Sequence, residues 1–145
     1  MQSKNDAIWQ RAKFLANHSE RSDLQSITIL ILFDLGIPVQ YSGFDYLRCL
    51  IPLAFQEPSQ IYIKELMEQI GARYSPVVEY SVMESAVRDA VRVAWRNRFH
   101  YKWECYFPDH ILQREKQPGN AEFIAALVYF LEMWYGCCKE EAYAG

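Results

Sequence analysis

The sequence predicts an all-α protein, a compact bundle of about six or seven helices that contains a helix-turn-helix, and three segments carry that expectation. Between Gln60 and Ile70, the apolar residues Ile63, Leu66, Met67 and Ile70 recur at i, i+3, i+4 and i+7, while Lys64, Glu65, Glu68 and Gln69 take the opposite side. From Ser81 to Asn97, a helical turn of about 100° per residue gathers Met83, Ala86, Val87, Ala90, Val91 and Ala94 on one side. Ser81, Ser85, Arg88, Asp89, Arg92 and Arg96 share the other side. From Ala121 to about Tyr135 the chain is apolar nearly all round, through Phe123, Ile124, Leu127, Val128, Phe130, Leu131 and Trp134, so this helix needs cover on most sides.

The remaining elements follow in chain order. Residues 5–17 place Ile8, Ala12, Leu15 and Ala16 beside Trp9 and Phe14 at helical spacing. Ser22 or Asp23 caps a second helix through Ile27, Leu30, Ile31 and Leu35, which stops at Gly36-Ile37-Pro38. The β-branched run Ile27-Thr28-Ile29 leaves a buried strand open as the alternative. A third helix fits residues 43–56, with Leu47, Leu50, Ile51 and Ala54 on one side and Pro52 implying a kink or a shortened first turn. Pro58-Ser59 punctuates the chain before the helix at Gln60. Residues 72–80, with Ser75-Pro76, read as the turn between two helices, the second with a polar outer face, which is the helix-turn-helix plan. Residues 99–110 are aromatic and irregular, residues 114–119 form a polar loop, a short helix fits between them, and Asn120 caps the last helix. The expected organisation is a helical extension over 1–22, one domain over 23–136 and a flexible tail over 137–145.

Length and composition bound the function. A chain of 145 residues, 51% hydrophobic and 15% aromatic, is one folded domain rather than a disordered segment. The longest apolar run, Ile27 to Phe33, contains Thr28 and falls well short of a membrane span, and the polar start does not resemble a signal peptide, so a cytoplasmic protein is expected. Cys49, Cys105, Cys137 and Cys138 show no CxxC pairing, and His100, Cys105 and His110 match no zinc spacing. No phosphate-cradling glycine loop, G-x-S-x-G or H-E-x-x-H is present, and Glu65 and Glu68 read as solvated charge. The expectation is a protein that is not an enzyme and takes no cofactor or metal.

The formal net charge of -3 opposes indiscriminate binding to nucleic acid. Locally the balance reverses: residues 73–102 hold six Lys or Arg against three acids. Arg88, Arg92 and Arg96, at i, i+4 and i+8, form one stripe that Arg98 and Lys102 extend. Such a stripe suits contacts to DNA phosphates, and it is also what an ordinary solvated helix face looks like with Asp89 interspersed.

Four blocks in order resemble the C-terminal effector domain of the stage-zero sporulation protein A family, over about residues 24–134. They are Gly36-Ile37-Pro38, then Gly43-Phe44-Asp45-Tyr46-Leu47-Arg48, then the run Glu84 to Trp95, and then the run Lys116 to Ala125. The resemblance implies an all-helical fold with a central helix-turn-helix that binds double-stranded DNA sequence-specifically, commonly as paired molecules. The stretch ahead of the resemblance is too short for the receiver domain of the parent regulator, so a stand-alone effector is expected. The DNA-binding residues it implies, taken with the basic stripe, are Ser81, Val82, Glu84, Ser85, Arg88, Arg92 and Arg96.

The sequence departs from the family at the reading positions themselves. Val82 and Ser85 stand where arginines are expected, and losing a bidentate guanine contact costs about 1–3 kcal/mol of discrimination. Glu84 remains as an acceptor for a cytosine amine, and the turn before the helix is about two residues longer than the family's. The alternative is therefore a protein-interaction module that kept the helical scaffold and lost DNA reading, pairing with itself or with a full-length regulator. Tyr129, Trp134 and Tyr135 on the last helix suit either core packing or such a homodimer surface.

Overall fold

The computed structural model describes residues 6–18, 23–57 and 62–144, with side chains as far as residue 140, and among them are eight helices and no strand. These are α1 (Asp6–His18), α2 (Leu24–Leu35), α3 (Ser42–Gln56), α4 (Ile63–Gly71), α5 (Tyr80–Arg96), α6 (His100–Trp103), α7 (Asp109–Leu112) and α8 (Asn120–Ala144). The all-α expectation holds.

α2 is a helix despite its β-branched run. The Asp23 carboxylate accepts the Ser26 N–H at 2.7 Å, and Gly36, at φ 81°, turns the chain out of the helix while its N–H reaches the Leu32 and Phe33 carbonyls. Ile27, Thr28, Ile31, Leu32 and Leu35 are all buried, and packing of that face overrides a weak strand preference. The Thr28 hydroxyl folds back onto the Leu24 carbonyl at 2.8 Å, so its burial leaves no donor unmade.

α3 is the hub, packing against α2, α4, α5 and α8, with Leu47, Leu50 and Ile51 fully buried. The helix is not shortened by Pro52 but runs through it to Gln56. Proline has no N–H to offer the carbonyl four residues back, that of Arg48, and the Gln25 amide of α2 donates to that carbonyl at 3.3 Å instead. The backbone acceptor that proline leaves without its helical donor thus becomes a tie between helices.

α1 lies along α8 and sends Ile8, Ala12 and Leu15 into the core. Arg11 of α1 donates to Asp34 of α2 at 2.6 Å and to the Tyr106 hydroxyl at 3.1 Å, and that hydroxyl donates in turn to Asp34. Burial is the main reason that the Tyr106 hydroxyl is pushed far above the ordinary phenol range. The predicted extension is therefore woven into the core over residues 6–18. Pro58-Ser59 and the expected start of the fourth helix at Gln60 lie outside the described residues, and α4 is described from Ile63.

Two expectations about the last helix need correction. The helix does not end near Tyr135 but continues to Ala144, because Cys137 prolongs its buried face and no proline interrupts it. Tyr135 meets Phe55 of α3 edge-on, with ring centroids 6.1 Å apart. Its stretch Asn120–Glu140 is also long and apolar enough, by length and composition, to cross a membrane, which the sequence was not expected to offer. Here Phe123, Leu127, Phe130 and Leu131 are fully buried, and the helix packs on α1 and α3.

α3 and α5 approach closely at Gly43, where an added Cβ would lie 2.4 Å from the Ala86 carbonyl oxygen and 2.7 Å from the Ala90 methyl. Gly43→Ala should therefore cost about 1–3 kcal/mol in urea unfolding through overpacking. Gly136→Ala, where a Cβ meets nothing within 4 Å, should be neutral or stabilise by up to about 1 kcal/mol through helix propensity. Equal effects at the two sites would show that the α3–α5 contact is not tight.

Asp45 of α3 accepts from the Tyr74 hydroxyl at 2.6 Å and pairs with Arg48, so α3 also holds the segment that leads into α5. The Tyr74 hydrogen bond is the largest cause holding the Asp45 carboxyl below the usual carboxylate range; partial burial opposes it and Arg48 assists. A depressed folded-state value stabilises above the unfolded pKa of about 3.9 and is lost as pH falls through the folded value. Tyr74→Phe should lower stability by about 1 kcal/mol at neutral pH. The gap to the parent should narrow below about pH 4. Urea midpoints measured across that range decide it, and a gap that does not change with pH would break the link to Asp45.

Candidate nucleic-acid interface

α4 and α5 bury the faces that their spacing predicts, Leu66, Met67 and Ile70 on one and Met83, Val87, Ala90, Val91 and Ala94 on the other, and pack together. The connection between them returns on itself: Tyr74 and Val78 both donate backbone N–H groups to the Gly71 carbonyl, at 3.2 and 3.0 Å. Its Ser75-Pro76 peptide is cis. Tyr74 is anchored to Asp45 and Val78 to Gly71, so the connection is held on both sides of that peptide.

The structure places all seven predicted residues on α5, away from the core. Ser81, Val82, Ser85, Arg88 and Arg96 are exposed, and Glu84 and Arg92 are half-buried. They are not independent of one another. Arg88 donates to the Glu84 carboxylate at 2.7 Å and to the Ser85 hydroxyl at 3.3 Å, and Arg92 pairs with Asp89. Arg96 has no carboxylate partner among the described residues. The expected continuation of the stripe beyond the helix takes a different form. The Arg98 guanidinium lies 3.6 Å from the centroid of the Trp95 ring and donates to the Trp95 carbonyl at 2.7 Å, closing the end of α5, and Lys102 sits over Phe99.

Sequence reasoning missed the second wall of the site, residues 114–119. The Glu115 carbonyl accepts from Trp95 Nε1 at 3.2 Å, Gln117 donates to the Arg88 carbonyl at 3.2 Å, and Asn120 donates to the Glu84 carbonyl at 2.9 Å. Asn120 therefore does not cap α8 as expected: its side chain is spent on α5. Gly119 precedes the helix, and Glu122 reaches back to the Gly119 N–H at 3.0 Å, half of a capping box. The same carboxylate takes both oxygens to Arg114 at 3.0 and 3.1 Å, and the Arg114 hydrogen bond is the first cause of its lowered pKa, followed by that of Gly119. Between this wall and α5 lies a cleft of about 630 Å³, lined by Arg88, Arg92, Arg96, Arg114 and Lys116 among others. A signal was present in the sequence: the blocks Glu84–Trp95 and Lys116–Ala125 are the two segments that meet here.

On α8, Trp134 is buried, whereas Tyr129 and Tyr135 are exposed, so only the latter two are accessible to a second molecule. No group of three or more His, Cys, Asp or Glu able to hold a metal occurs among the described residues.

A family model described as sporulation initiation factor Spo0A C terminal matches residues 28–131. The match begins inside α2, takes in α4, α5 and the 114–119 wall, and ends inside α8. This chain belongs to the family of the C-terminal domain of sporulation initiation factor Spo0A, a family of DNA-binding regulatory domains.

Proposed function

We propose that this chain is a sequence-specific transcription regulator of the sporulation-initiation type that acts in the cytoplasm on double-stranded DNA. In this reading α4 and α5 are its helix-turn-helix and α5 is the recognition helix. The observation that carries it is the outward stripe Ser81, Ser85, Arg88, Arg92 and Arg96 on a helix whose other side is locked into the core. A major groove about 12 Å wide admits such a helix with its N-terminal residues at the base edges. There Glu84 accepts from a cytosine amine, Ser81 and Ser85 make single hydrogen bonds, and Val82, 56% exposed, packs on a thymine methyl. Arg88, Arg92 and Arg96 contact phosphates and set the register. Tyr129 and Tyr135 are the surface through which paired copies, or a full-length regulator, would meet.

The rival reading, an interaction module on the same scaffold, draws on one specific observation. Two of the three stripe arginines are already paired to Glu84 and Asp89. Exposed i,i+3 and i,i+4 pairs are worth only about 0.3–0.5 kcal/mol, so phosphate exchanges for them at little cost, which favours DNA.

Fluorescence anisotropy against a duplex selected from a random pool tests the reading. Affinity should fall steeply with salt, and the Arg88→Ala, Arg92→Ala double variant should flatten the log–log salt slope by about 1.8 while leaving base preference unchanged. Glu84→Ala should relax preference at one base pair by about 1–3 kcal/mol. A wild-type chain that binds no duplex at low salt leaves the interaction module.

A further inference from the structure

The cleft between α5 and residues 114–119 holds more positive charge than its own carboxylates answer. Five cationic side chains line it, against Glu115 and Glu122. Glu122 is engaged with Arg114, Arg88 with Glu84, and Arg92 with Asp89. Arg96 on the helix wall and Lys116 on the loop wall have no carboxylate partner among the described residues. The Nε of Arg114 is buried and makes no hydrogen bond among them either. A buried donor without an acceptor of its own costs free energy.

The walls are fixed before any ligand arrives. Trp95, Gln117 and Asn120 bridge them through three hydrogen bonds, and Pro118 is buried between. Cations carried on two fixed walls of an open cleft suit a group with several acceptor oxygens and net negative charge, and little ordering of the walls is left for binding to impose. The volume accommodates a phosphodiester with its flanking sugars or a diphosphate.

We propose that this cleft is a phosphate-binding site, gripped from α5 by Arg96 and from the loop by Lys116, with Arg114 and Glu122 as the scaffold that holds the loop wall. The phosphoryl group comes from the DNA backbone or from a free phosphorylated compound; only the DNA source rests on the function proposed above.

The test titrates the full chain with inorganic pyrophosphate by calorimetry at constant ionic strength, with sodium sulfate as the control, for the wild type, Lys116→Gln and Arg96→Gln. Neither residue holds an ion pair among the described residues, so both variants should keep the wild-type circular dichroism. Pyrophosphate should bind the wild type, and each variant should weaken it about tenfold. The same proteins are then titrated with duplex DNA across a salt series. A slope flattened by about 0.9 in Lys116→Gln assigns the site to a backbone phosphate. An unchanged slope with pyrophosphate binding weakened assigns it to a free phosphorylated compound. Pyrophosphate binding by a wild type that binds no duplex keeps the site and removes the DNA reading. Pyrophosphate binding undiminished in both variants, or no pyrophosphate binding together with an unchanged DNA slope, overturns the proposal.

Discussion

The contact of α3 with α5 at Gly43 governs the placement of the outer helix. Only a residue without a Cβ lets the α3 backbone approach the Ala86 carbonyl this closely, and Ala86 and Ala90 supply the matching small side of α5. Two residues on, Asp45 holds the Tyr74 hydroxyl, so the first turn of α3 positions both α5 and the segment that delivers it. The remainder of α3 is the hub of the apolar core, with Leu47, Leu50 and Ile51 facing inward. Core packing and site presentation therefore share one helix, and a disturbance at its start reaches both.

An acidic protein can present a basic face when its charges are segregated. The formal charge is -3, yet the surface of α5 and the 114–119 wall concentrate cations around one cleft. In the free protein two of them are neutralised by neighbours one helical turn away, Glu84 for Arg88 and Asp89 for Arg92. Such pairs are at most half-buried and weak, and they keep the face from repelling itself without committing it. Arg98 belongs to a different class, since stacking on Trp95 and closing the end of α5 are structural duties.

The local pattern made α4, α5 and the stop at Gly36 legible, because amphipathic spacing and a glycine followed by proline act over one or two turns. The same pattern left α2 open between helix and strand, and the choice depended on what its buried face packs against, which is not a local property. The residues of the candidate interface on α5 were legible as one helix face. Their second wall was not, because Asn120 bonding to Glu84 joins positions 36 apart, and nothing in the spacing around Asn120 distinguishes that role from a cap. Pro52 was legible as an anomaly, but its resolution by Gln25 was not, since the relieving donor belongs to another helix.

The polar knot of Arg11, Asp34 and Tyr106 has a further meaning beside the family borders. The matched segment starts at residue 28, part-way through α2, and ends at residue 131, part-way through α8, so α1 lies wholly outside it. Yet α1 packs on α8 and is tied by Arg11 to two residues within the match. The stretch that the family model covers and the stretch that packs into one core are thus different in this chain. The matched segment contains the candidate interface, and α1, which lies before it, supplies cover for α8 from outside the match.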